Sequence, residues 1–233
     1  MRVLIVDTAL GACTACVVED GRLLGVRSEL MTKGHQERLA GMVRDAVADA
    51  AKEAGGGFEA LDRIGVTVGP GSFTGLRVGL SFAQGLGAAL DRPVVGLSTL
   101  DGLAVSIKPV GLVAAVIDAR RGQVYARLFR DGRPLGAPEA LSLEAAADRI
   151  YHAAAGAPPI LVGSGGPVLT EACPERLGAA ILARLPAPAP EALAYMTAVV
   201  DPAAHPPRPL YLRAPDATPP SRLPGQARPP ATS

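Results

Sequence analysis

A glycine-rich nonapeptide, Gly69-Pro-Gly-Ser-Phe-Thr-Gly-Leu-Arg77, follows a short apolar run and leads into residues with helical spacing. Consecutive backbone N–H groups at such a helix start can hold an anion. The loop fails both standard phosphate templates. No lysine supplies the Gly-Lys-Ser/Thr of a Walker loop, and Thr74 stands where a dinucleotide fingerprint needs its third glycine. A tight turn with Ser72 capping a helix accounts for the same residues, and on chemistry alone the two readings balance. Other nucleophiles and ligands are sparse. Ser72 has no histidine near it in sequence, and Ser164 lacks the G-x-S-x-G surroundings of a hydrolase elbow. Cys13 and Cys16 have C-x-x-C spacing, but they lie in an alternating strand pattern, where residues three apart point to opposite faces. They read as small core residues rather than as redox or zinc chemistry, and no metal site is expected. His35, His152 and His205 are scattered, with His35 just before a helix as a cap or surface contact.

Two carboxylates are marked by repetition. Residues 7–25, DTALGACTACVVEDGRLLG, align without a gap with residues 118–136, DARRGQVYARLFRDGRPLG, giving eight identities in nineteen positions. Asp7 matches Asp118, Gly11 matches Gly122, and the Asp-Gly-Arg triplets at 20–22 and 131–133 match each other. A period of 111 residues marks a duplicated half-domain rather than a solenoid.

The elements that must position these residues follow from apolar spacing. Residues 3–6 suit a buried central strand. Strands over 14–19 and 23–30 flank Asp20 and Gly21, the pair that favours a type I′ hairpin. Apolar residues Leu39, Met42, Val43, Ala46, Val47 and Ala50 predict a helix over 36–54. A strand over 64–68, a helix over 73–90, a strand over 94–97 and a helix near 100–107 complete the first half. The second half restarts at Leu112 with a strand ending at Asp118. A hairpin at Asp131 and Gly132, a helix over 143–155, a strand over 160–162, a glycine run over 163–166 and a last helix over 190–200 follow. The expected organisation is an N-terminal half over 1–108, a reduced C-terminal half over 109–213 and a disordered Pro-rich tail over 214–233.

Composition narrows the function. The 233 residues are 48% apolar with no Trp and 3% aromatic residues, so a real core packed by small side chains is expected. A net charge of +1 gives no global basic field for nucleic acid. The start, MRVLIVD, has too few apolar residues before Asp7 for a signal peptide, and no apolar run reaches the ~18–20 residues of a membrane span. A cytoplasmic protein without membrane partners is expected.

Along residues 73–90, Gly75, Gly79, Ala83 and Gly87 recur every fourth position, with Ser81, Gly85 and Ala89 as a second small row. Interior glycines each cost ~1 kcal/mol of helix propensity relative to Ala, so close approach of another backbone must compensate. Either the row packs on the chain's own sheet or it forms an interface with another subunit.

Two successive β-β-β-α-β-α-β halves, each with an aspartate closing its first strand, resemble the duplicated actin-like ATPase (ribonuclease H-like) fold, an α/β architecture. That resemblance implies hairpins that grip nucleotide phosphates and paired Asp residues that handle metal and water. It makes Asp7, Thr8, Gly69, Gly71, Ser72 and Asp118 the candidate anion or nucleotide set. Arg120 and Arg121 occupy the second hairpin, where small residues usually let backbone approach phosphate, so efficient ATP hydrolysis by the isolated chain is not expected.

VGPGSFTGLRVG at 68–79 resembles the signature of the TsaB (YeaZ) family, as do IVDTA at 5–9, GHQERL at 34–39, DARRGQVYA at 118–126 and PLYLR at 209–213. This family is the partner subunit of the bacterial machinery that makes threonylcarbamoyladenosine next to the anticodon of tRNAs. The resemblance implies a non-catalytic subunit that docks on a catalytic sister, TsaD, and works with the ATPase subunit TsaE. It implies a homodimer when alone, contact with tRNA only through the complex, no cofactor for the isolated chain, and ATP or ADP in the complex. The sister carries H-x-E-G-H, with two metal-binding His. Here Thr99-Leu-Asp-Gly-Leu103 stands in that place, and Leu cannot ligate a metal. The family pairs through its two long helices, which implies an interface of Leu39, Met42, Val43, Ala46, Gly75, Leu76, Gly79, Phe82, Ala83 and Leu86. A small-molecule kinase-like phosphotransferase on the same fold is the alternative, and a peptidase a more distant one.

Overall fold

The computed structural model describes residues 1–107 and 110–213. The expected tail over 214–233, and the boundary expected between 108 and 109, lie outside the described residues. The first half runs β1 (Arg2–Asp7), β2 (Ala12–Glu19), β3 (Arg22–Leu30), α1 (His35–Ala54), β4 (Arg63–Gly69), α2 (Phe73–Leu90), β5 (Val94–Ser98) and α3 (Thr99–Val105). The second runs β6 (Leu112–Arg120), β7 (Gln123–Arg130), β8 (Arg133–Pro134), β9 (Glu139–Ser142), α4 (Leu143–Ala154), β10 (Ile160–Val162), α5 (Gly165–Ala172), α6 (Pro174–Leu177), β11 (Ile181–Ala183) and α7 (Pro190–Val199). No helix among the described residues is long and apolar enough to cross a membrane.

Each half builds one mixed sheet. The first has order β3-β2-β1-β4-β5, and the second has order β11-β10-β6-β7-β8, with β9 also pairing to β7. In each, the first strand is antiparallel to the second and parallel to the strand after the helix. The third strand of the second half is broken into two pieces, because Pro134, Gly136 and Pro138 interrupt it. This is the duplicated actin-like α/β fold. The two Asp-Gly turns are conformational copies. Asp20 and Gly21 have φ of 48° and 83°, and Asp131 and Gly132 have 48° and 78°. Both central residues are left-handed, as a type I′ hairpin requires.

Pleating sorts side chains to the two faces of the first sheet. Leu4, Val6 and Cys13 join the core under α1 and α2, whereas Val3, Ile5 and Cys16 join the core under α7. The C-x-x-C pair is thus split across the sheet, and all three cysteines are free and buried. Burial raises the Cys13 thiol to about 11 and pushes Cys16 further up, so neither is a thiolate near neutrality.

Two helices change partners between the halves. Leu100, Leu103 and Ala104 of α3 pack into the core of the second sheet. Leu193 and Ala194 of α7 pack on the first sheet, with Val3, Ile5, Val95 and Leu97. Beyond α7 the chain returns along the first sheet as a strap. Gly96 N–H donates to His205 O at 2.8 Å and Leu210 N–H donates to Val68 O at 2.8 Å. Gln84 reaches Pro207 O at 2.7 Å, and Arg213 reaches Ala119 O at 3.2 Å in the second half.

Candidate functional site

The C-terminal ends of β1 and β4 bring Asp7, Thr8 and the glycine loop together. Asp7 is fully buried. Its Oδ1 accepts from the Thr67 hydroxyl at 2.7 Å and from Ala9 N–H at 2.9 Å. Its Oδ2 has no partner among the described residues. Burial raises this carboxyl above the usual aspartate range, and the Ala9 and Thr67 bonds only partly offset that. Asp118 repeats the local geometry: its Oδ1 accepts from Arg120 N–H at 2.8 Å, two residues along, as Asp7 does from Ala9.

The second carboxylate differs in its neighbours. Arg120 Nη1 lies 3.3 Å from Asp118 Oδ2, so the carboxylate matched to Asp7 is ion-paired with a guanidinium of its own hairpin. Arg120, Arg121 and Gly122 have φ of 63°, 55° and 69°, three left-handed residues in succession of which only one is glycine. Leu10, on the β1–β2 turn, packs against the second half's core.

The glycine loop is closed onto its own chain. Ser72 N–H donates to Ala9 O at 2.7 Å, and the Thr8 hydroxyl donates to Gly75 O at 2.7 Å. A Cβ on Gly71 would stand 2.3 Å from Ala9 O, and one on Gly75 would stand 2.1 Å from Thr8 O. These two glycines are needed for close approach to residues 8 and 9. Ser72 Oγ accepts from Gly75 N–H at 3.2 Å, the helix-cap role open in the sequence.

His35 departs from expectation. It opens α1 but is 6% exposed rather than a surface contact, and its Nε2 has no partner among the described residues. Asp101 is held by Arg127 through two contacts of 2.6 and 2.7 Å that tie α3 to β7. Thr99 is buried and Leu103 is in the core of the second half. No group of three or more His, Cys, Asp or Glu among the described residues is arranged to hold a metal ion.

The interface expectation needs correction. Leu39, Met42, Val43, Ala46, Gly75, Leu76, Gly79 and Ala83 are all buried within this one chain. The row Gly75, Gly79, Ala83 and Gly87 faces inward. A Cβ on Gly79 would stand 2.4 Å from Thr8 Oγ1, and one on Gly87 would stand 2.3 Å from Val94 Cγ2. The small residues let α2 lie against the end of β1 and against β5, which is the intramolecular reading. Phe82 and Leu86 are only partly buried, at the edge of that core. The outward face of α2 carries Phe73, Arg77, Ser81 and Gly85, with open space around Gly85. A groove of about 570 Å³ runs between α1 and α2, lined by Leu39, Phe73, Arg77, Val78 and Phe82 among others.

Sequence reasoning missed three contacts around these elements: the strap over 201–213, the Asp101–Arg127 pair, and the stack of Arg77 over Phe73 with its guanidinium carbon 3.8 Å from the ring centroid. Only the strap had a local signal, the apolar and aromatic residues of PLYLR ahead of the Pro-rich tail.

Residues 17–154 match the family described as tRNA N6-adenosine threonylcarbamoyltransferase. An uncharacterised protein of Mycobacterium tuberculosis is 37% identical over 224 residues, which cover 93% of this chain and 94% of that one. The tRNA threonylcarbamoyladenosine biosynthesis protein TsaB of Escherichia coli is 36% identical over 128 residues, 54% of this chain and 53% of its own length. A solved structure from Pseudomonas aeruginosa, described as similar to peptidase YEAZ, superposes with a TM-score of 0.71 at 30% identity, covering 91% of this chain and 99% of that one.

Proposed function

Because this chain belongs to the TsaB (YeaZ) family, we propose that it serves tRNA threonylcarbamoyladenosine biosynthesis as a partner-binding subunit with no chemistry of its own. The observation that carries this reading is the state of the α3 region. The catalytic sister, as the resemblance implies, holds a metal with two His on an acid–Gly motif. In this chain Leu103 is a core residue, Thr99 is buried, and Asp101 is paired to Arg127. The Asp118 carboxylate is likewise ion-paired, with Arg120. Asp7 remains as one buried carboxyl facing a loop closed by its own backbone bonds. ATP or ADP belongs to the assembled complex in this reading, and tRNA is met through it.

The docking face in this reading is the outward side of α1 and α2. Phe82, Leu86, Val78 and the exposed Phe73 supply its apolar surface. The same face serves self-association when the sister is absent. A reconstitution tests the proposal. The chain, the catalytic sister TsaD and the ATPase subunit TsaE are combined with tRNA, ATP and a threonylcarbamoyl donor system. Omitting the chain is expected to abolish adenosine modification, and the chain alone is expected to show no ATPase above background. Turnover by the isolated chain near the ordinary enzyme median of ~10 s⁻¹, abolished by Asp7→Ala, would overturn it.

A further inference from the structure

We infer that the α1–α2 groove takes a partner segment that brings a carboxylate to Arg77, and that Tyr211 of the C-terminal strap is the positioning residue that aims Arg77 at it. This rests on the reading that α1 and α2 form the docking face, and it specifies the chemistry that face selects.

Arg77 is the one charged residue in the eighteen of α2. It is also the one charged side chain among the described residues lining the groove, beside Leu39, Val78 and Phe82. No carboxylate among the described residues forms an ion pair with it. Instead, its guanidinium carbon lies over the Phe73 ring, 3.8 Å from the centroid. Tyr211 lies beside the pair, its ring centroid 5.5 Å from that of Phe73 and its hydroxyl 3.5 Å from Arg77 Nε. The strap is fixed there by the Leu210 N–H bond to Val68 O. Phe73 and Tyr211 remain half exposed, so the assembly stands at the surface.

A cation stacked on a ring keeps its planar fork of donors in a fixed direction, which suits bidentate capture of a carboxylate. Docking on an apolar groove removes water from that fork. A partner segment with an acid at this point forms a charge-assisted pair in a drier medium. A segment without one buries the cation unpaired, which is strongly unfavourable. The groove therefore discriminates by a single charge, and the strap makes the last described residues of the chain part of the recognition surface.

Titration calorimetry of the purified full chain against the catalytic sister subunit tests this. Arg77→Gln is expected to raise Kd by about tenfold or more and to flatten its salt dependence. Arg77→Lys recovers part of the loss, since a point charge replaces the fork. Tyr211→Phe, which keeps the ring beside Phe73 and loses only the long 3.5 Å contact to Arg77, leaves affinity near wild type, and Tyr211→Ala, which removes both, weakens it several-fold. Added to Arg77→Gln, Tyr211→Ala costs nothing more, because its effect acts through the missing guanidinium. Melting curves confirm that each variant is folded. Wild-type affinity for Arg77→Gln, or additive losses in the double variant, overturns the inference while leaving the docking face intact. Losses confined to self-association, with sister affinity unchanged, give the groove to a second copy and also overturn it. No binding by the wild-type chain overturns the docking reading itself, and this inference with it.

Discussion

Asp7 shows how a single residue can work against the fold that holds it. Its Oδ2 is buried without a partner, and burial raises its pKa above the ordinary 3.8. With the folded pKa above the unfolded one, stability is fullest below the unfolded value and is lost as pH rises through the folded value. As pH rises through the folded value the fold comes to hold a poorly solvated carboxylate, and a buried polar group left without a partner costs about 1–3 kcal/mol. Asp7→Asn keeps the Oδ1 acceptor for Thr67 and Ala9 and removes the charge. The expected outcome is a variant that melts higher than wild type at pH 7, with the difference shrinking toward pH 3. A variant that melts lower at neutral pH would show that the ionised form has partners of its own. At this scale the sequence was readable where local chemistry is repetitive. The cap at Ser72, the split of Cys13 from Cys16 and the match of Asp7 to Asp118 all follow from spacing. It was not readable for His35 or for the Asp101–Arg127 pair, because burial and ion pairing across 26 residues are set by packing that no local pattern encodes.

Among the elements, α2 carries the sharpest lesson. Its helix bounds match the expected 73–90, and of the two readings open for its glycines the packing within the chain is the one seen. A small-residue row shows that some backbone approaches closely, not whose backbone it is. Here Thr8 and the end of β1 occupy that space. Gly79→Leu is therefore expected to destabilise the monomer by about 1–3 kcal/mol through overpacking, rather than to dissociate a folded one. Gly85 provides the contrast, since nothing lies within 4 Å of a Cβ added there. Gly85→Ala is expected to stabilise the chain by up to about 1 kcal/mol through helix propensity. Thermal denaturation of the two variants side by side checks both, and a destabilised Gly85→Ala would refute the assignment of faces. The α1 residues of the expected interface carry a related lesson. Leu39, Met42, Val43 and Ala46 form the stripe that any sheet-covering helix needs, and the sheet of its own half already consumes it.

At the scale of the molecule, duplication was legible and the exchange of helices was not. Periodicity locates two sheets, but it does not say which sheet a following helix will cover. The face formed by Val3, Ile5, Val18, Val95 and Leu97 belongs to the first sheet, and it is covered by Leu193 and Ala194 of α7, about a hundred residues onward. The second sheet's core is in turn completed by Leu100, Leu103 and Ala104 of α3, which the sequence would assign to the first half. Arg63 strengthens the exchange by donating to Thr197 O and Val200 O at the end of α7. The two sequence halves are therefore expected to fold together rather than as two independent units. Fragment 1–108 would expose one whole apolar face of its sheet to water, and burial at roughly 25 cal/mol per Å² is the main term opposing chain entropy. The expected outcome is that 1–108 alone shows no cooperative melt and poor amide dispersion, whereas the full chain melts in one transition. Adding a fragment that spans 109–213 should restore a cooperative melt, since it returns α7 to the first sheet and receives α3 in exchange. A fragment 1–108 that melts cooperatively by itself, with dispersed amide resonances, would show that α7 is an accessory cover and that the first half is an independent domain.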